Sequence, residues 1–399
     1  MVEGRCDSRF AEVREEFERN FAERGELGAS VCVTLDGETV VLWGGVADPP
    51  SRRLWTSDTV ALAWSCTKGA TALCAHILVD RGQLDLDAPV AGYWPDFAAA
   101  GKDRIPVRML LNHQAGLPAL RAPLPPGAFA DWDLMVKALA LEAPFWAPGT
   151  RHGYHAFTFG WLVGEVVRRV SGRSLGTFFA EEVAGPLGLD FWIGLPERIE
   201  PRVAPMVSTT EPPPGEPVAP FFIAAMTDPS STAALVLANN GGFMASPDER
   251  RYHQAEIGSA SGITNGRGLA GLYRPLALGG AVDGVRLISP EALARASVTA
   301  SAADVDATLL APTRFGLGFC KSVGDLGPSD VLVLGAEAFG HPGAGGSIGF
   351  ADPAERLSFG YVMSRQGFGT GLNARGQSLV DATYRALGYR TRQPGVWIR

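Results

Sequence analysis

The chain has 399 residues, 46% of them hydrophobic and 19% charged, the balance of a folded protein and far from that of a disordered one. A single core stops growing at roughly 250 to 300 residues, so at least two packed units are expected. The net charge of −7 offers no basic footprint and sets nucleic acid aside as a partner, while five cysteines without a CxxC or CxxH pair fit reduced thiols and a cytoplasmic setting.

The charged start, Met1 to Glu18, lacks the apolar run of a signal peptide. Phe10, Val13, Phe17 and Phe21 recur at spacings of three and four, which predicts an amphipathic helix within Asp7 to Arg24. Ala29 to Leu35 and Glu38 to Trp43 flank Asp36-Gly37 and predict a hairpin. Val60 to Val79 approaches membrane-span length, yet Lys68 and His76 lie within it and no second anchor follows, so it reads as a buried helix and no membrane is expected. Residues 86 to 234 show helical pieces at Val107 to Asn112, Asp131 to Leu141, Phe157 to Val170 and Leu175 to Ala184, with almost no strand alternation. Glu211 to Pro220 reads as a Pro-rich return linker. Val331 to Leu334, Ser347 to Ala351 and Leu357 to Met363 predict short antiparallel strands, and Leu372 to Leu387 a terminal helix. The expected architecture is α+β: an antiparallel sheet flanked by helices, built from residues 1–85 and 235–399, with an inserted helical domain over residues 86–234 and a cleft between them.

Ser65-Cys66-Thr67-Lys68 is the strongest local signal. A spacing of three places Ser65 and Lys68 on one face of a helix. A serine needs a base before it attacks a carbonyl, and a lysine becomes one when apolar surroundings lower its pKa. At a helix start, free backbone N–H groups also face developing negative charge. By itself an SxxK occurs often by chance, as an N-cap serine and a surface lysine.

Its context is more specific. Trp64-Ser65-Cys66-Thr67-Lys68-Gly69, then Asp80-Arg81-Gly82-Gln83-Leu84-Asp85-Leu86-Asp87-Ala88-Pro89-Val90, then Leu110-Leu111-Asn112-His113-Gln114-Ala115-Gly116-Leu117 resemble the class C β-lactamase-like serine hydrolases, penicillin-binding-protein-like enzymes, and especially the family VIII carboxylesterases. The resemblance implies a β-lactamase/transpeptidase-like fold and Ser65 as the acylated nucleophile. It also implies Tyr154, in Pro148-Gly149-Thr150-Arg151-His152-Gly153-Tyr154-His155, as the tyrosine that helps move protons. Where β-lactamases carry Lys-Thr-Gly, this chain has His341-Pro342-Gly343, and the resemblance implies an oxyanion hole from the amides of Ser65 and Ala344. His341, Gly343 and His155 are the expected substrate-side residues, with the glycines leaving room for a carbonyl. Two departures weaken an antibiotic-hydrolysing role: Ala156 stands where a β-lactamase has asparagine, and His341 replaces the lysine that holds a carboxylate.

Two GxSxG patterns, around Ser174 and Ser347, compete as nucleophile elbows. No histidine follows Ser347, and Ser174 lies between helical pieces, where it reads as an N-cap. His152 and His155 form an HxxH pair too short of partners for zinc. The expectation is a serine hydrolase acting on small-molecule carboxylic esters through a Ser65 acyl-enzyme, with no metal or organic cofactor and an oligomeric state that the sequence leaves open. Acyl transfer, D-aminopeptidase or weak β-lactamase activity at the same site are the enzymatic alternatives, and an acylated sensor without turnover is the non-enzymatic one.

Overall fold

The computed structural model describes residues 1–209, 215, 218–325, 331–393 and 395–399. Strands β1 (Val2–Cys6), β2 (Gly28–Leu35), β3 (Glu38–Asp48), β4 (Phe339–Pro342), β5 (Ile348–Asp352) and β6 (Leu357–Met363) pair antiparallel in the order β1-β3-β2-β6-β5-β4. The two-residue strand Arg53–Leu54 adds a seventh member beside β3. The β2–β3 hairpin closes where the sequence places it: Asp36 and Gly37 have φ of 51° and 130°, and a two-residue turn that follows the strand twist needs positive φ at both positions.

Five helices matter for the site: α1 (Ala11–Glu23), α2 (Thr67–Asp80), α3 (Thr158–Ser171), α4 (Gly266–Ala277) and α5 (Ala374–Ala386). Alternate residues of the central strands point to opposite faces. Val31 and Val33 of β2 and Phe359, Tyr361 and Met363 of β6 meet Phe10, Phe17, Leu379 and Val380 on the α1–α5 side. The other face lies against α4, where Cys32 packs on Ala270. A Cβ on Gly360 would sit 2.3 Å from the carbonyl oxygen of Gly266, so only glycine lets α4 lie this close to β6.

A second apolar cluster joins α2 to α3 and the helical part of the chain, and it runs from Ala47 through Trp94, Leu139 and Val166 to Phe339 and Val362. This core crosses the expected limits at 85/86 and 234/235. We propose that the division into residues 1–85 with 235–399 and residues 86–234 describes the path of the chain, since the six main strands all lie in the first set, while the core is shared. No single described helix is long and apolar enough to cross a membrane. Pro220–Thr227 and Thr232–Ala238 reach that length only as a pair bent by 84°.

Several elements differ from expectation. The apolar run from Val60 opens as the short strand Ala61–Leu62 and the 3-10 turn Trp64–Cys66, and it becomes helical only over Thr67–Asp80. β1 is an edge strand whose Glu3, Gly4 and Arg5 are exposed, so it carries no hydrophobic alternation for a pattern to detect. α4 was hidden by Gly266, Gly268, Gly271 and Pro275, residues of low helix propensity that here serve close packing. Val331–Leu332 pairs with Gly324–Asp325 outside the main sheet, and the sheet strand is instead Phe339–Pro342. Helix Leu175–Phe179 passes into a wider turn over Ala180–Ala184. Of the Pro-rich linker, residues 211–214 and 216–217 lie outside the described residues, and Pro220 opens a helix.

Candidate active site

Ser65 sits in a short 3-10 turn, Trp64–Cys66, that feeds directly into α2. The turn is tight enough to hold Trp64 at φ +48°, an unfavourable region for a bulky residue that persists only when its surroundings over-determine it. Trp64 is buried edge-on against Phe243, and its carbonyl accepts the Thr67 hydroxyl at 2.6 Å. Ser65 is thereby left half-buried at the start of α2 while Trp64 and Cys66 on either side are closed off.

Lys68, fully buried one helical turn further, reaches three oxygens: Ser65 Oγ at 2.9 Å, the Ala156 carbonyl at 2.6 Å and the Ser259 carbonyl at 2.9 Å. Burial holds its pKa well below the ordinary lysine value. Carbonyls only accept, so two amine hydrogens are committed to Ala156 and Ser259; in the neutral amine the lone pair is left for the Ser65 hydroxyl, which then donates to Lys68. Ala156, the departure from the asparagine pattern, thus serves through its backbone.

The ring of Tyr154 lies 4.8 Å from Lys68 Nζ. Burial raises the phenol well above its usual pKa, with the carboxylate of Asp306 adding to the effect. Asp306 is a site residue that the sequence did not reveal. It is fully buried, and both of its oxygens accept the Tyr154 backbone N–H at 3.0 Å. The same carboxylate takes the amides of Thr308 and Leu309, each at 2.8 Å, and the Thr313 hydroxyl at 3.0 Å. It therefore ties the tyrosine segment to the loop that follows residue 306, and no local motif announces it.

β4 ends across the Ser65 turn. A Cβ on Gly343 would lie 2.4 Å from the Ala63 carbonyl oxygen and 3.3 Å from Cys66 Sγ. Gly343 is therefore a close-approach residue between two protein segments, which corrects the expectation that its missing side chain leaves room for substrate. Ala344, next along, is half-buried. Among the described residues, no protein acceptor is recorded for the amide of Ser65 or of Ala344, the condition for two donors facing an incoming oxygen.

His341 is buried on β4, its ring centroid 5.9 Å from that of Tyr154. Burial lowers its pKa to about 3, with Lys68 contributing, so it is neutral throughout the ordinary pH range. Together with Tyr154, Phe221, Leu309, Phe315 and Leu332 it lines a cavity of about 100 Å³.

His155 does not reach this cavity. It is fully buried; Nδ1 donates to the Gly153 carbonyl at 2.7 Å and Nε2 accepts the Leu117 amide at 2.9 Å. With both nitrogens held by backbone, it shapes the loop and is withdrawn as a substrate residue. His152 turns elsewhere, to Thr313 Oγ1 at 2.7 Å, so the HxxH pair shares no ligand. Ser174 accepts the Thr177 amide at 3.2 Å as the N-cap of its helix and donates to Glu256 Oε1 at 2.8 Å, with no lysine or histidine bonded to it, and the Ser347 side chain is fully buried without a partner.

A family model described as Beta-lactamase matches residues 14–383, and the chain belongs to that family. Within it, the chain is 35% identical over 368 residues to Esterase/beta-lactamase LipL of Mycobacterium tuberculosis, an alignment that covers 91% of this chain and 83% of that protein. Among solved structures it resembles a family VIII carboxylesterase with TM-score 0.85 and 37% identity, and a penicillin-binding protein homolog from Caulobacter crescentus with TM-score 0.85 and 38% identity. Each comparison covers 97% of this chain and 100% of the other.

Proposed function

We propose that this protein is a serine hydrolase of carboxylic esters that works through an acyl-enzyme on Ser65. The observation that carries the reading is the fully buried Lys68 amine, held by two carbonyls and hydrogen-bonded at 2.9 Å to a half-buried serine. Ser65 attacks the ester carbonyl while Lys68 takes its proton; Tyr154 relays a proton to the leaving alcohol; the amides of Ser65 and Ala344 hold the oxyanion. Water then attacks the acyl-enzyme with the proton path reversed. The names of the similar proteins, an esterase/beta-lactamase and a carboxylesterase, support the substrate class, and the neutral His341 in place of a cationic lysine favours esters over carboxylate-bearing β-lactams. Among the described residues no two cysteines form a disulfide, which supports a cytoplasmic location.

Intact-mass measurement with p-nitrophenyl esters, followed by peptide mapping of a phosphonate adduct, tests the assignment. Ser65→Ala should abolish labelling and hydrolysis, whereas Ser174→Ala and Ser347→Ala should keep full labelling stoichiometry. An adduct on Ser174 or Ser347 would exclude it.

A further inference from the structure

Three consecutive backbone N–H groups centre on Tyr154, and two of them end on one residue, His113. The His113 carbonyl accepts the Gly153 N–H at 3.1 Å, and its ring Nδ1 accepts the His155 N–H at 3.2 Å. Asp306 holds the Tyr154 N–H between them. A ring nitrogen that accepts carries no hydrogen, so His113 is a neutral imidazole with its proton on Nε2. Burial lowers its pKa well below the ordinary value and keeps it neutral. The buried ring also meets the Tyr154 ring edge-on, with centroids 5.0 Å apart, and touches Phe159 and Phe315 at centroid distances of 5.4 and 4.5 Å.

His113 also ends a helix. It follows Val107–Leu111 with φ +64°, the left-handed conformation that commonly closes a helix and that glycine or asparagine adopts at least cost. Closing the helix accounts for the backbone angle but needs no imidazole; the bond to the His155 N–H and the ring contact with Tyr154 do use it. We infer that His113 is a positioning residue for proton transfer, its Nδ1 acceptor fixing the segment that carries Tyr154 so that the phenol reaches the leaving oxygen. The inference deepens the ester-hydrolase reading and rests on it. Without the acceptor, the N–H of the fully buried His155 loses its partner. Tyr154 also borders a cavity of about 100 Å³, so packing on that side does not hold its ring in place, and a displacement of about 1 Å at a reacting group costs about 10²-fold in rate.

Proton return matters most for a poor leaving group: an alkoxide departs only with a proton, whereas p-nitrophenolate departs without one. The ratio of kcat/KM for p-nitrophenyl acetate to that for ethyl acetate therefore reads proton delivery by Tyr154. Both esters form the same acetyl-enzyme, and general damage to the fold lowers both values together and leaves the ratio unchanged. Tyr154→Phe should raise the ratio by about 10-fold or more. His113→Gly keeps the positive φ at no steric cost and removes the imidazole; it should raise the ratio to a similar extent, and the double variant should go no further. Should the glycine variant not fold, His113→Leu, similar in volume and without an acceptor, takes its place. His113→Asn tolerates the same φ and carries its Oδ1 as many bonds from the backbone as Nδ1, so it should return the ratio most of the way to wild type. The inference is overturned by an unchanged ratio in His113→Gly, by a shift in His113→Asn as large as that in the glycine variant, or by a double variant whose shift is the product of the two single ones. A wild-type protein that hydrolyses neither ester and takes no label on Ser65 would instead remove the ester-hydrolase reading.

Discussion

Gly343→Ala is a small change placed between the two amides proposed as the oxyanion hole. The new Cβ would lie 2.4 Å from the carbonyl oxygen of Ala63, a distance that real Cβ atoms essentially never show, and the 3.0 Å limit requires a retreat of about 0.6 Å or more. The close obstacle is the Ala63 backbone, with Cys66 Sγ next at 3.3 Å, so no long flexible side chain can absorb the movement. The Ser65 amide rides on one segment and the Ala344 amide on the other, and the substitution drives them apart. Complete loss of one oxyanion donor costs about 10² to 10³ in kcat, and a displacement of about 1 Å at a reacting centre costs about 10²-fold. The expected loss in kcat/KM toward p-nitrophenyl acetate is therefore about 10- to 100-fold, with a parallel slowing of phosphonate labelling. Overpacking should reduce stability by about 1 to 3 kcal/mol, so kinetics are read well below the melting temperature found by differential scanning calorimetry. A folded Gly343→Ala protein with wild-type kcat/KM would refute the pairing of Ser65 and Ala344 as donors.

The pH profile should follow Lys68. The base works only when unprotonated, so kcat/KM rises with pH through its folded pKa, which burial holds below the ordinary 10.5; with Tyr154 raised well above 10, no descending limb should begin below that pH. His155 and His341, both lowered to about 3 by burial, contribute no limb near neutrality, and an acid limb that disappears in His341→Phe would contradict this. Asp306→Asn replaces an acceptor-only carboxylate at the Tyr154 amide and should lower kcat by about 10- to 100-fold with little change in KM, because Tyr154 is mispositioned for proton transfer. It should also lower the pH at which Tyr154 ionises, since the carboxylate raises that pKa. Unchanged kcat together with an unchanged alkaline limb would show that Asp306 merely holds its loop.

What the sequence determined by itself was local. Asp36-Gly37 encodes its own turn, the Phe10-to-Phe21 stripe encodes α1, and Ser65 with Lys68 needs only the pitch of one helix to meet. Family resemblance added Tyr154 and the β4 segment, which no periodicity marks. The tertiary structure decided what depends on distant segments. Asp306 reaches Tyr154 across 152 residues and Ser259 reaches Lys68 across 191, contacts for which neither chain segment carries a pattern. α4 reads as a weak helix until its glycines meet the backbone of the sheet. The tautomer of His341 depends on where one carbonyl points, and the burial of His155 on a loop closing over it. A side chain's chemistry is written in the sequence, but its protonation and its free lone pair follow from which oxygens the fold brings near and how much water it removes.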